Sequence, residues 1–188
     1  MYIQSMKTIL KITKNELSTL FYSPIAWLIL IIFTFQSGMA YAEAWADALR
    51  SQALGYTVYG ATERLLLGWS GAISSMQEHL YLYIPLLTMG LMSQEYNRGS
   101  IKLLYSSPVT NKQIIFGKYL SMIIYALILV AILFIYYAFP AFTIKAIDTP
   151  FVMTALLGIF LMICAYAAIG LFMSSLTSYQ VVAAVGTL

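Results

Sequence analysis

Tyr119 to Ile144 reads YLSMIIYALILVAILFIYYAFPAFTI, 26 residues without one charge. About 20 apolar residues in a helix cross the hydrocarbon core of a bilayer. This run is therefore a membrane span, and the rest of the chain repeats the pattern. Leu17 to Ala42 is a second charge-free run of 26 residues, and Thr149 to Leu188 is a third of 40, long enough for two crossings. Leu80 to Gln94 is weaker, with 15 residues. It becomes a full span if its helix begins near Ser70 and takes in Glu78 and His79 near one membrane face.

Composition agrees with that pattern. Of 188 residues, 61% are hydrophobic and only 9% charged, where a soluble domain carries about a quarter charged residues. Mean hydropathy is +0.83. A soluble enzyme, a secreted disulfide scaffold and a disordered tail are excluded. The single cysteine, Cys164, rules out an intrachain disulfide and a cysteine-cluster zinc site. The fold class is all-α, a polytopic helical membrane protein in one transmembrane domain.

Capping signals set the limits of the spans. Ser23-Pro24 and Thr149-Pro150 place a hydroxyl before a proline at the first helical position. Thr110-Asn111-Lys112-Gln113 is a capping box. The expected spans are 24–42, 71–93, 113–139 and 150–173, with external residues 43–70 between the first two. Pro85 should kink the second span, because it removes a backbone donor. The third span is long and should tilt. Polar residues 174–180 interrupt the last run, and Val181 to Leu188 resumes it. Eight residues cannot cross a bilayer, so 181–188 reads as the start of a fifth span and the chain as cut after the fourth.

Lysine and arginine give the orientation. One side holds Lys7, Lys11, Lys14, Arg98, Lys102, Lys112 and Lys118 with Glu16 and Glu95. The other holds Arg50, Arg64 and Lys145 with Glu43, Asp47, Glu63, Glu78 and Asp148. The balances, +5 and −2, sum to the net +3. The N-terminus and the 94–112 loop are expected in the cytoplasm, and the chain in the inner (cytoplasmic) membrane. Ala40-Tyr41-Ala42 resembles a signal-peptidase site, but the n-region before its apolar core would exceed 20 residues and that core is too long.

Before the first span, Lys7, Lys11, Lys14 and Ser18 recur along one helical stripe, while Ile3, Met6, Leu10, Leu17 and Leu20 fall mostly on the other side. Residues 3–21 therefore read as a basic amphipathic helix in the membrane interface, with membrane lipids as its partner. Each lysine near anionic headgroups contributes about 1 kcal/mol.

Enzyme chemistry finds no support. There is no G-x-x-x-x-G-K-[ST] phosphate loop and no G-x-G-x-x-G. Gly68-Trp69-Ser70-Gly71 superficially fits an intramembrane serine protease, but the lone base, His79, lies nine residues on. On one helix that is about 13 Å away and on the opposite face, out of a nucleophile's reach. One histidine and one cysteine do not make a metal site. Glu78, His79 and Pro85 remain as a possible gate or pathway, since ionisable groups at membrane depth are costly. Against that, Glu78 falls about 22 Å up the helix from Ser93, at a wet outer interface beside Tyr81 and Tyr83.

The most distinctive stretch is Ser93 to Val109, SQEYNRGSIKLLYSSPV. It reads as a short helix with Ile101, Leu104 and Tyr105 on one face and a stop before Pro108. Apolar residues on a loop facing water suggest a docking surface. Its pattern E-x-x-x-G-[ST]-[IL]-x-x-L-x-x-[ST]-P-[VI] resembles that of ABC-2 type transporter permeases. K-N-E-L-x-x-x-F-x-S-P-I-A-W at 14–27 is similar to the same family, especially its gliding-motility-associated subfamily. Phe116-Gly117-Lys118-Tyr119 and Ile169-Gly170-Leu171-Phe172-x-Ser174-Ser175-Leu176-Thr177 also fit.

The resemblance implies six spans, of which four and the start of a fifth are present, and a dimer of permease subunits, either two copies or a related pair. It implies cytoplasmic ABC ATPase subunits that bind ATP and magnesium, with no cofactor on this chain and no nucleic-acid partner. The 94–112 loop would be the coupling helix, through Glu95, Arg98, Gly99, Leu103, Leu104 and Pro108. The expected function is export driven by the partner's ATP hydrolysis. A non-transporting anchoring subunit of a surface machine is the alternative.

Overall fold

The computed structural model describes residues 2–54, 71–99, 109–143 and 148–188. Seven helices occur there: α1 (Tyr2–Tyr22), α2 (Pro24–Ala53), α3 (Ala72–Thr88), α4 (Ser93–Arg98), α5 (Asn111–Thr143), α6 (Thr149–Leu176) and α7 (Gln180–Thr187). No strand occurs among the described residues. Pro24–Ala53, Asn111–Pro140 and Thr149–Leu176 are each long and apolar enough to cross a membrane. The chain is a multi-pass, all-helical membrane protein.

Side-chain caps fix several helix starts. Ile25 N–H donates to Ser23 Oγ at 3.3 Å at the head of α2. At the head of α5 the capping box closes both ways: Thr110 N–H donates to Gln113 Oε1 at 3.0 Å, and Gln113 N–H to Thr110 Oγ1 at 3.4 Å. The head of α6 differs from the sequence reading. Asp148 Oδ1, not the Thr149 hydroxyl, accepts the Phe151 N–H at 3.3 Å, which places a carboxylate at the positive end of the helix dipole.

Two helix boundaries also depart from the sequence reading. α2 continues through 43–53, which the polarity of EAWADALRSQA marks as loop. Its four alanines favour helix, Ala44 is buried, and Trp45 packs edge-to-face with Tyr41 and Phe139 at 6.3 Å each. α3 stops at Thr88, three residues after Pro85, and 89–92 form a turn before α4. The turn closes through Leu91 N–H to the Thr88 carbonyl at 3.1 Å. At 17 residues α3 is shorter than the usual span.

The described residues form two compact units. Met1–Leu28, Tyr81–Ala126 and Ile163–Leu188 make the first. Its core includes Ile84, Leu87, Met122, Tyr125, Ile163 and Ala167. The fully buried Tyr125 donates its hydroxyl to the Ala26 carbonyl at 2.8 Å and packs on Phe21 at 6.0 Å. Trp27 Nε1 donates to the Phe21 carbonyl at 2.8 Å, securing the α1–α2 joint.

The second unit comprises Ile29–Leu80 and Leu127–Met162. Phe33, Met76, Leu129, Leu133 and Ile159 fill its interior. Its aromatic row continues from Tyr41 to Tyr136 at 5.5 Å. Tyr137 donates to Thr149 Oγ1 at 3.0 Å.

Close approach of α3 and α6 in the first unit rests on Gly170, where a Cβ would fall 2.6 Å from the Cβ of Thr88. Gly158 on α6 has open space instead. Gly170→Val should destabilise the detergent-solubilised protein by about 1–3 kcal/mol through overpacking, whereas Gly158→Ala should be neutral or slightly stabilising. Thermal unfolding followed by circular dichroism checks both.

Candidate functional site

In the first unit, α1 and α5 approach at Gly117. A Cβ there would meet Ile12 Cγ2 at 2.6 Å, so only glycine allows the contact. The Thr13 hydroxyl sits against the Ile9 carbonyl at 2.9 Å and the Gly117 carbonyl at 3.1 Å. Gln113 Nε2 donates to Ser5 Oγ at 2.9 Å. The capping glutamine of α5 therefore also ties α5 to α1.

The residue after Gly117 is Lys118, and this approach buries it. Its side chain is 2% exposed, with Nζ 2.8 Å from Glu16 Oε1 on α1 and 2.8 Å from Glu95 Oε1 on α4. The two carboxylates are 16% and 20% exposed. Removing an ammonium from water costs several kcal/mol unless short, charge-assisted hydrogen bonds replace its hydration. Two such bonds do so here, and they join three helices at one atom. A cleft of about 100 Å³ opens beside Glu16, with Ser23, Gln94 and Gln180 on its wall.

The head of α4 is held by a second polar device. Ser174, fully buried near the end of α6, accepts the N–H groups of Met92 and Ser93 at 3.0 and 3.1 Å. Its hydroxyl donates to the Met89 carbonyl at 2.9 Å, and Ser93 Oγ also bonds that carbonyl. One hydroxyl thus satisfies two of the helix's orphan donors and a turn carbonyl. α4 also touches α7. It ends at Gly99, whose φ of 70° is left-handed and whose N–H bonds the Tyr96 carbonyl at 3.2 Å. That backbone favours glycine.

Glu95 is thus drawn inward onto Lys118, while Gly99 is exposed at the helix end. Arg98 closes α4; Leu103, Leu104 and Pro108 lie outside the described residues. Lys7, Lys11 and Lys14 are exposed on α1. Met6 and Leu10 are 66% and 56% exposed beside them, and the face packed on α5 is that of Ile9, Ile12, Thr13 and Glu16. On α3, Glu78 is exposed, His79 Nδ1 lies 2.6 Å from the Ser75 carbonyl, and Pro85 is buried. No group of His, Cys, Asp and Glu able to hold a metal occurs among the described residues.

Sequence reasoning counted Glu16 and Lys118 as charges and Ser174 as part of a break, and included all three in the family-like motifs, without assigning any of them a role. A signal marks each of the two charged residues. Glu16 shares a helical stripe with Ile9 and Thr13, opposite the lysines. Lys118 sits directly before a 26-residue charge-free run, where an unpaired ammonium would be costly.

Lys118→Met should destabilise the protein by about 3–5 kcal/mol, because it leaves two carboxylates facing each other without a cation. Adding Glu16→Gln and Glu95→Gln to that variant should recover most of the loss. Chemical denaturation in micelles gives the cycle.

The family described as ABC-2 family transporter protein matches residues 10–188. Over 54 residues the chain is 37% identical to the uncharacterized protein YhcI of Bacillus subtilis (strain 168), a stretch that is 29% of this chain and 17% of that protein. No solved structure matches. With three membrane-length helices and a match across nearly its whole length, the chain belongs to the ABC-2 transporter family.

Proposed function

We propose that the chain is the permease subunit of an ATP-driven ABC-2 type exporter in the inner membrane, and that the segment after α3 receives a separate cytoplasmic ATPase. Family membership supports the transport role. The observation that carries the coupling assignment is the seating of α4, whose Glu95 is bonded to Lys118 and whose first N–H groups are bonded to Ser174. Six residues are too few to hold a helix alone in water. Clamped in this way, α4 moves with α1, α5 and α6. Force applied to the segment beyond Gly99 is then passed to membrane helices rather than lost in a flexible loop.

In this reading the residues divide by role. Arg98, Gly99, Leu103, Leu104 and Pro108 meet the ATPase. Glu95 is a positioning residue that acts through Lys118. Lys7, Lys11 and Lys14 hold α1 to anionic headgroups on the cytoplasmic side, consistent with the basic excess of that side. ATP and magnesium stay on the partner, and a second permease subunit completes the assembly. Coupling requires that the two ATPase states contact the loop differently.

The deciding experiment purifies the protein from native membranes with its associated subunits. A stoichiometric ATPase with a Walker A motif, lost on Leu104→Asp, is the expected result. Absence of any ATPase partner would favour an anchoring subunit instead. Glu95→Gln should retain membrane insertion but lower ATP-dependent export roughly tenfold, within the usual range of coupling free energies. Unchanged export in that variant would remove Glu95 from the coupling path.

A further inference from the structure

A second feature of the first unit lies apart from the lysine cluster. Ile115, Phe116 and Tyr119 on α5 face Ala168, Leu171 and Phe172 on α6 across an apolar groove of about 270 Å³. Met92 and Ser175 complete the lining. On α5 the wall residues, with Lys112, fall at i, i+3, i+4 and i+7, one stripe of the helix. On α6, Cys164, Ala168, Leu171, Phe172 and Ser175 likewise share one stripe. Met92 and Leu171 are each 7% exposed and form the floor, while Phe116 and Phe172 are about 60% exposed and form the rims.

The two ends of the groove differ in chemistry. The Tyr119 hydroxyl donates to the Cys164 carbonyl at 3.2 Å, bridging α5 and α6 at the inner end. The other end lies where α5 begins and α6 stops, the water-facing limit of two membrane-length helices. There Lys112 is exposed, one helical turn before the wall residue Phe116 on the same stripe of α5. Residues 109–119 and 168–180 contain no acid. The nearby Lys118 is already held by Glu16 and Glu95.

We propose that this groove is a phospholipid site: one acyl chain lies between α5 and α6, and an anionic headgroup meets Lys112. The site fits an amphiphile, apolar along its length, with a lysine at its open end that has no ion-pair partner among the described residues. Lys112 to Tyr119 spans about 10 Å of helix axis, so the groove takes the upper part of a chain and leaves the rest in the bilayer. A lipid would reach a groove between two membrane-length helices from the bilayer, without crossing water. This assignment does not depend on the ATPase partner.

The test uses the full chain, made in membranes containing phosphatidylglycerol and phosphatidylethanolamine, extracted in mild detergent and examined by native mass spectrometry. About one retained phosphatidylglycerol per chain is expected. Ala168→Phe should fill the groove and remove it. Lys112→Gln should lower the phosphatidylglycerol preference roughly fivefold, the contribution of one lysine near an anionic headgroup. Equal lipid retention in wild type and Ala168→Phe would overturn the site. So would a dimer that Ala168→Phe dissociates with no lipid lost, since the groove would then seat a second copy.

Should Ala168→Phe fail to insert, Phe172→Trp reads the same site in vesicles containing phosphatidylglycerol brominated on its acyl chains. Quenching beyond that of Trp27, Trp45 and Trp69 in the wild type should saturate at a low fraction of brominated lipid. Quenching proportional to that fraction would mean ordinary bilayer contact and reject the proposal.

Discussion

A lysine ammonium removed from water must be surrounded by acceptors, and Lys118 meets that demand only where α1, α4 and α5 converge. Each carboxylate comes from a different helix, at 2.8 Å. Apolar packing is non-directional and would tolerate sliding of one helix on another. Two charge-assisted hydrogen bonds to one nitrogen would not, because a small shift lengthens both while the ammonium stays buried. The cluster contributes position more than stability: buried ion pairs roughly break even against apolar replacements, whereas losing one member is costly.

The surroundings follow from that constraint. Gly117 is required immediately before Lys118 because α1 must come close enough for Glu16 to reach. Gln113 and Thr13 use the same close approach to link the two helices. Short α4 is placed at its start by Ser174 and at its first turn by Glu95, and is released at Gly99 by a left-handed backbone. Gly170 performs a similar service between α6 and α3. Small residues where membrane helices touch are the usual solution, since lipid-facing helices gain little from the hydrophobic effect against one another.

α1 shows how tertiary contacts redistribute an amphipathic pattern. By sequence its apolar side is Ile3, Met6, Leu10, Leu17 and Leu20. In the structure the side packed against protein is Ile9, Ile12, Thr13 and Glu16, and Met6 and Leu10 stand exposed beside Lys7, Lys11 and Lys14. The helix therefore has a mixed inner face for α5 and an outer face that joins apolar to basic residues, the combination suited to a lipid interface. Polarity alone would have assigned Glu16 to solvent.

The sequence by itself determined the fold class, because 9% charged residues and charge-free runs of 26 leave only a helical membrane protein. It also determined the helix starts at Ser23 and Thr110, whose caps are local, and the family, through motifs spread along the chain. Tertiary structure decided the rest. Residues 43–53 are held helical by the burial of Ala44 and the edge-to-face packing of Trp45 on Phe139. Ser174 caps a helix 81 residues earlier in the chain, and Lys118 pairs across separations of 102 and 23 residues. Helix periodicity and capping act over a few residues, so composition and pattern reveal them. A buried ion cluster is a meeting of distant residues, and only the packed chain shows which charges have left the water.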